Sequence, residues 1–304
     1  MEKIPFLIEI LPYVQKFRNT TFVVKLGGDS ARNPKILESL AKDLTLLHNI
    51  RINIVLVHGG GPQADELLQK LGHGTKKVNG RRITDEQTLD VAKMVYAGKV
   101  NTEIVAALQH AGTHTIGLTG ADCNLITAEK RKPQKVKNKE TGKTETVDFG
   151  YVGDIRSVNT ELIKQVLKEN CVPVIACLGI DSQGTVLNIN ADSIAEEIAK
   201  ALKAEKFISI TNVPGILENR EDKTSTMSYL NLPNAKKLLK NSKVNGGMLP
   251  KLQSCVGAVE GGVKRAHIID MNTPHGILVE VLTNQGCGTM IVSKQEEAEY
   301  KETG

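Results

Sequence analysis

The sequence predicts an α/β fold, a three-layer sandwich in which helices cover both faces of a mainly parallel central sheet. The first observation is that short β-branched runs alternate with longer stretches of helical apolar spacing, a pattern typical of strand-helix-strand units. The second is composition, since 40% of the 304 residues are hydrophobic but only 3% are aromatic, so the core must be aliphatic. A chain of this length is near the upper limit for a single core, and we expect two lobes.

The N-terminal segment predicts a separate helix. Its apolar side chains recur at helical spacing, at Phe6, Leu7, Ile10, Leu11, Val14 and Phe17. Such a stripe packs either on its own domain or against another subunit, and the sequence leaves both open. A glycine-bounded break at residues 179–184 marks the expected boundary between the lobes. The predicted units are therefore 1–19, 20–179 and 180–304.

Regular elements are predicted along the rest of the chain. Five short apolar runs predict buried strands, at residues 22–26, 52–57, 115–118, 172–178 and 207–211. Six longer stretches predict helices, at residues 34–48, 64–71, 86–110, 160–169, 191–202 and 250–259. Residues 130–147 break this pattern, because Lys, Glu and Thr alternate there around a Thr-Gly pair. An exposed β-hairpin explains the alternation, and a disordered charged segment is the alternative.

The net charge of +5 comes from this one segment. Residues 130–147 hold seven basic and two acidic residues, and that difference of five equals the excess of 39 basic over 34 acidic residues in the whole chain. A single basic loop predicts a solvated surface rather than a nucleic-acid-binding face. The chain also has no Trp for base stacking. We therefore expect no nucleic acid partner.

The cysteine pattern bears on the compartment. Five cysteines, none in a C-x-x-C pair, fit neither a disulfide framework nor a zinc site, so no metal ligands are predicted. The N-terminal segment carries Glu2 and Glu9 and has no basic leader, which argues against a signal peptide. No apolar run approaches the length of a membrane span. We expect a soluble, cytoplasmic protein with no membrane partner.

Four glycine-rich turns lie beside predicted strands or helices. They read Lys25-Leu-Gly-Gly28, His58-Gly-Gly-Gly-Pro62, Leu118-Thr-Gly-Ala-Asp122 and Asn245-Gly-Gly-Met-Leu-Pro-Lys251. Because glycine has no Cβ, its backbone N–H can approach an anion closely, and a helix N-terminus adds its dipole. One such turn is often only a tight corner. Four in one α/β chain predict a site for several phosphates or carboxylates at the carboxyl ends of the strands.

Three familiar motifs do not account for these turns. Thr141-Gly-Lys-Thr144 resembles the end of a P-loop, but Lys137 stands where its first glycine is required. Gly59-x-Gly61-x-x-Ala64 matches a relaxed dinucleotide fingerprint, but no acidic residue closes the next strand. His58-Gly-Gly-Gly61 resembles an esterase oxyanion loop, but the sequence has no Gly-x-Ser-x-Gly elbow. Hydride transfer and serine hydrolysis are therefore not supported.

Phosphoryl transfer without a Walker motif remains, and it needs cations and fixed N–H donors around the migrating group. Lys25 lies at the end of the first predicted strand and Lys251 at the start of a late helix, so these two are the natural cations. On spacing alone, either one is equally an ordinary surface lysine. Asp192 lies at a predicted helix start, where it can keep both ammonium groups charged, cap the helix, or do both.

These residues together resemble the amino acid kinase family over residues 21–292. Eight motifs in the family's order carry the resemblance: Lys25-Leu-Gly-Gly28, Val57-His-Gly-Gly-Gly-Pro62, Val78-Asn-Gly-Arg-Arg-Ile-Thr84, Gly150-Tyr-Val-Gly-Asp154, Asn188-Ile-Asn-Ala-Asp192, Ala204-Glu-Lys206, Gly246-Gly-Met-Leu-Pro-Lys251 and Gly288-Thr-Met-Ile291. The resemblance implies the fold of that family. It also implies an activity, the transfer of the γ-phosphoryl group of ATP, with Mg²⁺, to the side-chain carboxylate of N-acetyl-L-glutamate.

Residue roles follow from the resemblance position by position. The implied catalytic residues are Lys25 and Lys251, which would stabilise charge in the transition state, and Asp192, which would organise them. The implied acceptor-binding residues are Gly60, Gly61, Arg82 and Asn188. The implied nucleotide-binding residues are Gly27, Gly28, Lys25, Asn212 and Lys251, and Asn212 stands where relatives usually have Asp. The acceptor would bind in the 20–179 lobe and ATP on the 180–304 lobe.

Arginine-sensitive members of the family resemble this chain in carrying an N-terminal helix, which interlaces dimers into a hexameric ring. The resemblance therefore implies a homo-oligomer, a hexamer built as a trimer of dimers, with L-arginine as an inhibitory effector. The implied arginine site comprises Tyr13, Lys206, His267, Glu280 and Gly286. A carboxylate suits a guanidinium ligand, but ordinary structural roles for His267 and Glu280 stay open. Residues 270–275 and 283–288 depart from the usual surroundings of that site.

Other activities stay open as alternatives. Aspartate kinase and glutamate 5-kinase usually carry extra C-terminal domains, for which the sequence after residue 291 leaves no room. A carrier-linked aminoadipate kinase shares the core motifs and is harder to separate. Outside the enzymes, the chain could be an inactive arginine sensor or scaffold that binds a partner such as the PII nitrogen-signalling protein. The joint presence of Lys25, Asp192 and Lys251 argues against that role.

Overall fold

A computed structural model describes residues 3–79, 81–137, 142, 144–219, 221–222, 225–240, 244, 246–293 and 295–297, with side chains from residue 8 onward. The strands are β1 Thr21–Leu26, β2 Asn53–His58, β3 Lys77–Val78, β4 Arg81–Arg82, β5 Thr115–Thr119, β6 Ile126–Lys130, β7 Gln134–Lys137, β8 Thr144–Val147, β9 Gly153–Val158, β10 Val172–Ala176, β11 Leu178–Ile180, β12 Val186–Asn188, β13 Lys206–Thr211, β14 Tyr229–Asn231, β15 Arg265–Asp270 and β16 Thr289–Val292. The α-helices are α1 Lys3–Phe17, α2 Gly28–Arg32, α3 Pro34–Asn49, α4 Gly61–Lys70, α5 Glu86–Lys93, α6 Asn101–His110, α7 Glu161–Lys168, α8 Ala191–Ala201, α9 Leu232–Lys240, α10 Met248–Glu260 and α11 Gly276–Leu282.

Eight strands form the central sheet, in the order β14-β16-β15-β13-β1-β2-β10-β5. Neighbouring strands run parallel throughout, except that β15 and β16 are antiparallel. Every residue of β10 and β13 is buried, which is expected where helices cover both faces of a parallel sheet. The mainly parallel central sheet that the sequence predicts is confirmed.

Two groups of helices pack around this sheet. Helix α3 contacts α6 and α11, whereas α8 packs on α10, which also contacts α9. Their buried side chains join those of the strands in one largely aliphatic core, with Phe17, Phe22 and Phe207 among its few aromatic members. The predicted three-layer α/β architecture is confirmed. In the described part of the chain, no helix combines the length and the hydropathy needed to cross a membrane.

A second, smaller sheet has the strand order β12-β11-β6-β9. The sequence predicts one strand over 172–178, but the structure divides it, because the chain passes at Cys177 from β10 in the large sheet to β11 in the small one. Strands β7 and β8 pair as an antiparallel hairpin, as the alternation over 130–147 predicts. Residues 138–141 and 143 of that segment lie outside the described residues.

The stretch 86–110, which the sequence predicts as one helix, is helical throughout but changes its hydrogen-bond register. Helix α5 passes into a π-helical segment, Met94–Val100, which passes into α6. At the end of this segment the Asn101 N–H donates to the carbonyl of Tyr96, five residues earlier. Apolar periodicity predicts the helix but does not reveal this local change from α to π geometry.

The sheet register brings two of the glycine turns together. Leu26 at the end of β1 pairs with His58 at the end of β2, and the Gly59 N–H donates to the Leu26 carbonyl at 3.2 Å. The turns that follow these strands therefore lie side by side at the carboxyl edge of the sheet. Open α/β sheets bind their ligands at this edge.

Candidate active site

Lys25, Asp192 and Lys251 meet in one buried cluster. Lys25 lies near the end of β1, and the other two lie in the first turns of α8 and α10. The Lys25 Nζ is 2.7 Å from one Asp192 carboxylate oxygen, and the Lys251 Nζ is 3.8 Å from the other. The exposed fractions of the three side chains are 5%, 8% and 17% in chain order. One carboxylate thus holds two cations that are 226 residues apart in the sequence.

The electrostatics of this cluster favour an ionised Asp192. Burial by itself raises the pKa of Asp192, but the ammonium groups of Lys25 and Lys251 outweigh it and hold that pKa below its usual value. Burial lowers the pKa of Lys251, and the neighbouring Lys25 lowers it further, while Asp192 acts in the opposite direction. Two cations and one anion leave one positive charge uncompensated. A buried site of this kind attracts an anion such as a phosphate.

Asp192 is not the cap of α8. The side chain of Asn190 accepts hydrogen bonds from the N–H groups of Asp192, at 2.7 Å, and Ser193, at 3.4 Å, and therefore caps the helix. The sequence leaves two roles open for Asp192, helix capping and pairing with the lysines. In the structure, Asn190 caps the helix. The Asp192 carboxylate is left to the two lysines.

The turn after β1 packs tightly on the turn after β2. A Cβ added to Gly28 would lie 2.7 Å from Cδ of Pro62, which is closer than real side chains approach. The Gln63 amide donates to the Gly28 carbonyl at 2.8 Å and fixes that peptide. The predicted nucleotide residues Gly27 and Gly28 therefore lie directly beside the predicted acceptor residues Gly60 and Gly61.

Arg82 reaches the second turn from β4. Its Nη2 donates to the Gly61 carbonyl at 3.0 Å, and its Nη1 pairs with the Asp65 carboxylate on α4. Lys77 pairs with the other oxygen of Asp65 at 2.8 Å. Burial raises the pKa of Asp65, but Lys77 and Arg82 lower it below its usual value. These contacts position the guanidinium, and its remaining N–H donors can bind a carboxylate.

Asn188 ends β12 and faces the same region. Its side-chain amide donates to the hydroxyl of Thr84 at 3.1 Å, and its backbone N–H donates to the Tyr151 carbonyl at 2.9 Å. Thr84 is fully buried. Asn212, the remaining predicted nucleotide residue, is exposed immediately after β13, the neighbour of β1 in the sheet.

Sequence reasoning missed the residues that hold these groups in place. Asp65 orients Arg82, and Gln63 fixes the Gly28 peptide. Thr84 orients Asn188. Gln63 and Asp65 follow the glycine turn by a few residues, and Thr84 stands two residues after Arg82. Polar residues so close to a predicted ligand-binding motif are a signal that could have marked them.

The five predicted effector residues line one cavity of about 480 Å³ between α1, α11 and the ends of β13 and β15. They are Tyr13, Lys206, His267, Glu280 and Gly286. The His267 Nδ1 lies 2.8 Å from Glu280, and its Nε2 lies 3.2 Å from the Lys206 Nζ. The second Glu280 oxygen accepts hydrogen bonds from the N–H groups of Cys287 and Gly288.

Burial sets the charge states of three groups in this cavity. Burial lowers the pKa of His267 to about 4 and the pKa of Lys206 to about 7. Burial by itself raises the pKa of Glu280, but His267 and the two backbone donors hold it below its usual value. Near neutral pH, His267 is therefore neutral, Lys206 is only partly protonated and Glu280 is ionised. An added cation would compensate that carboxylate.

Comparison with known proteins identifies the family of this chain. The family model described as the amino acid kinase family matches residues 20–270. The acetylglutamate kinase of Caldanaerobacter subterraneus subsp. tengcongensis is 44% identical over 289 residues, which cover 95% of this chain and 93% of that protein. The acetylglutamate kinase of Archaeoglobus fulgidus is 42% identical over 291 residues, 96% of this chain and 99% of that protein.

Solved structures agree on the fold. An N-acetylglutamate synthase from Neisseria gonorrhoeae, complexed with coenzyme A and N-acetyl-glutamate, superposes with a TM-score of 0.80 at 27% identity and covers 95% of this chain. The present chain spans 63% of the length of that synthase. A carbamate kinase from Giardia lamblia, bound to citric acid, has a TM-score of 0.63 at 18% identity, covers 91% of this chain and 99% of its own, and supports the fold alone. With the family match spanning most of the sheet and both glycine turns, the chain belongs to the amino acid kinase family.

Proposed function

We propose that the protein transfers the γ-phosphoryl group of ATP to the side-chain carboxylate of N-acetyl-L-glutamate, giving an acyl phosphate and ADP in arginine biosynthesis. The observation that carries this proposal is the buried Lys25-Asp192-Lys251 cluster beside two adjoining glycine turns. Relatives with more than 40% identity over nearly the whole chain are named acetylglutamate kinase, which supports this choice of acceptor.

The chemistry needs charge and alignment rather than a base. A carboxylate acceptor is already ionised at neutral pH, so no proton has to be removed from it. Lys25 and Lys251 neutralise the charge that spreads over the phosphoryl oxygens, and Asp192 keeps both ammonium groups at a fixed separation. Glycine N–H groups at the two turns donate to the donor and acceptor oxygens. These groups are fixed before the reaction begins, which is the source of their catalytic effect.

The nucleotide and its metal ion fit this arrangement. The proposed nucleotide residues are Gly27, Gly28, Lys25, Asn212 and Lys251, which supply N–H donors and cations for phosphates. Across the described residues, no group of three or more His, Cys, Asp or Glu side chains could hold a metal ion, and Asp192 is already paired with two lysines. Mg²⁺ would therefore be held mainly by the nucleotide, where it supplies charge neutralisation at the β- and γ-phosphates.

The acceptor would be bound by Gly60, Gly61, Arg82 and Asn188. A planar guanidinium binds a carboxylate through two hydrogen bonds, so Arg82 would hold the α-carboxylate while the side-chain carboxylate reaches Lys25. This assignment places the acceptor in the 20–179 unit and ATP on the 180–304 unit, with 1–19 as an oligomerisation helix. A division into these three units is part of the proposal.

L-Arginine is the proposed effector, bound in the cavity lined by Tyr13, Lys206, His267, Glu280 and Gly286. Support comes from the ionised, buried Glu280, since a guanidinium binds a carboxylate strongly, and from a related solved structure, an N-acetylglutamate synthase complexed with coenzyme A and L-arginine. Ring assembly through α1, as a trimer of dimers, belongs to the same proposal. The apolar side chains of Ile8 and Leu11 on α1 are exposed in the single chain and available to another subunit.

The experiment that tests the activity is a hydroxylamine-trapped acyl-phosphate assay with Mg-ATP. We expect turnover on N-acetyl-L-glutamate and little on glutamate, aspartate or free aminoadipate, and we expect added L-arginine to reduce it. Turnover that ignores arginine would remove the effector proposal but leave the kinase. No turnover on N-acetyl-L-glutamate would contradict the proposed function and favour the carrier-linked or scaffold alternatives.

A further inference from the structure

We infer that Tyr96 is a specificity-determining residue of the acceptor site and that its hydroxyl binds, together with Arg82, the α-carboxylate of the acceptor. This inference rests on the proposed function, because it deepens the description of the same site. Tyr96 lies on the π-helical segment Met94–Val100 and is 4% exposed.

The ring of Tyr96 packs directly on the acceptor turn. A Cβ added to Gly60 would lie 2.6 Å from Cδ1 and 3.0 Å from Cε1 of this ring. Only glycine therefore fits at position 60 while Tyr96 keeps its place. The side chain of Val100, on the same segment, lies 3.4 Å from the same point. The aromatic ring forms the wall against which the Gly60 backbone rests.

The phenol of Tyr96 is close enough to Arg82 and Asp65 for their charges to affect its pKa. Arg82 Nη2 donates to the carbonyl of Gly61, the residue after the glycine that touches the ring. Burial raises the pKa of Tyr96, Asp65 adds to the rise, and the Arg82 guanidinium acts against it through a hydrogen bond and its charge. The phenol is therefore neutral and keeps its O–H. It can donate a hydrogen bond to a carboxylate bound by Arg82.

The π-helical geometry explains how Tyr96 comes to face the turn. In an α-helix each residue turns by about 100°, so residues five apart point about 140° apart. In a π-helix the hydrogen bonds join residues five apart and bring them close to one face. The Asn101 N–H donates to the Tyr96 carbonyl, so Tyr96 and Asn101 form such a pair. Tyr96 faces Gly60, and Asn101 faces the strand end that precedes it.

Asn101 anchors the other end of this contact. Its amide nitrogen lies 3.0 Å from Nε2 of the buried His58 and 2.9 Å from the Val174 carbonyl. The His58 Nδ1 lies 3.0 Å from the carbonyl of Gly59. Burial lowers the pKa of His58 to about 4, so the ring is neutral, with Nδ1 donating to Gly59 and Nε2 accepting from Asn101. Tyr96 thus packs on the glycine turn at Gly60, and Asn101 binds His58, which precedes the turn.

The proposed role of the Tyr96 hydroxyl is to bind the α-carboxylate. Packing against Gly60 needs only the ring. An acceptor with an α-carboxylate would be bound by two guanidinium N–H groups and one phenol O–H. An acceptor that lacks the α-carboxylate would leave the buried phenol and guanidinium donors without their partner, and sites of this kind discriminate strongly against the missing group. The hydroxyl therefore contributes to the choice of acceptor rather than to the phosphoryl transfer itself.

The test is Tyr96→Phe in the full chain, which keeps the ring and removes only the hydroxyl. We expect KM for N-acetyl-L-glutamate to rise about tenfold while kcat and KM for ATP stay unchanged, as for a lost interaction equal in ground and transition states. With 4-acetamidobutanoate, which lacks the α-carboxylate, wild type and Tyr96→Phe should have equal kcat/KM. Titration calorimetry of N-acetyl-L-glutamate should show the same tenfold weakening without any turnover.

Thr113→Val is the matched control, because it removes another buried hydroxyl of the same lobe, one that is bonded to Thr45, and it should leave KM unchanged. An unchanged KM and Kd in Tyr96→Phe would overturn the inference, since the ring would then act by packing alone. An equal loss with both acceptors would also overturn it, because the hydroxyl would then act away from the α-carboxylate. A wild-type protein that binds N-acetyl-L-glutamate but does not phosphorylate it would contradict the proposed function and still leave the binding comparison decisive.

Discussion

At the scale of single residues, the site depends on buried polar groups that fix one another. Asp192 is paired with two lysines, Arg82 is positioned by Asp65, and Asn188 is positioned by Thr84. Each contact costs desolvation, which is recovered only if both partners stay in place. Removing a supporting partner should therefore affect ligand binding even where that partner touches no ligand.

Thr84→Val tests this expectation for the acceptor site. The substitution keeps the volume but removes the hydroxyl that accepts a hydrogen bond from Asn188, so the Asn188 amide is no longer held in one orientation. We expect KM for N-acetyl-L-glutamate to rise about threefold to tenfold, equivalent to the typical net value of one hydrogen bond, about 0.5–1.5 kcal/mol. Steady-state kinetics with each substrate measures it. A rise in KM for ATP instead would show that Asn188 is not an acceptor ligand.

The sequence marks the residues that face the ligands more readily than the residues that hold them. Lys25 and the glycines stand in short motifs, and four glycine-rich turns together in one chain allow their chemistry to be predicted from the sequence. Thr84 and Tyr96 have ordinary residue types, and their roles depend on which side chains the fold brings beside them. A contact between residues 104 positions apart, such as Thr84 with Asn188, leaves no local pattern.

At the scale of elements, helix α1 exposes apolar side chains. Ile8 and Leu11 are 66% and 50% exposed. Phe17, at the end of the same helix, is 2% exposed, and its ring centroid lies 5.5 Å from that of Phe22. The helix is thus anchored at its C-terminal end and offers apolar side chains nearer its N-terminal end. Burying such side chains against another subunit is favourable by about 25 cal/mol per Å².

An Ile8→Asp, Leu11→Asp double variant tests that role. Placing two charges in an apolar contact between subunits costs several kcal/mol, so we expect the proposed hexamer to separate into dimers while turnover persists. Light scattering measures the mass. Leu46→Asp, at an apolar residue of α3 that is also exposed in the single chain, is the control and should leave the mass unchanged. If the double variant keeps the wild-type mass, α1 has no role in holding the subunits together.

Element prediction from the sequence succeeded where one physical signal dominated. The helices α3, α7 and α8 and the strands β1, β5 and β13 follow from apolar periodicity or β-branched runs, and the structure places them within a few residues of the predicted bounds. The π-helical segment Met94–Val100 and the division at Cys177 were not predicted. Both depend on tertiary packing, which can alter local geometry without changing the apolar pattern.

At the scale of the whole molecule, buried histidines make stability depend on pH, and the two that are almost fully buried, His58 and His267, have the largest effect. Burial lowers the pKa of His58 and of His267 to about 4 in the folded chain, whereas an unfolded histidine titrates near about 6.5. Below about pH 6.5 the unfolded state therefore binds protons that the folded state does not. By linkage, the free energy of unfolding should fall as pH is lowered toward 5, by up to about 1.4 kcal/mol per pH unit for each histidine.

Urea unfolding between pH 5 and 7 measures this slope. His58→Gln removes one of these groups and should reduce the slope by up to about 1.4 kcal/mol per pH unit, whatever its effect on stability at pH 7. His110→Gln is the control, because His110 is exposed at the end of α6, and it should leave the slope unchanged. A slope that is the same in His58→Gln as in the wild type would contradict the assignment of a neutral, buried His58.

The Lys25-Asp192-Lys251 cluster is central to the proposed transfer of a phosphoryl group to N-acetyl-L-glutamate. The most direct test is kcat of Lys251→Ala with Mg-ATP and N-acetyl-L-glutamate at saturation, beside Lys42→Ala, which removes an exposed lysine paired with Glu38 on α3. Loss of one preorganised charge should lower kcat about 10² to 10³-fold in Lys251→Ala, with the far-UV circular dichroism unchanged, and should leave Lys42→Ala at the wild-type rate. A wild-type kcat in Lys251→Ala would contradict the account.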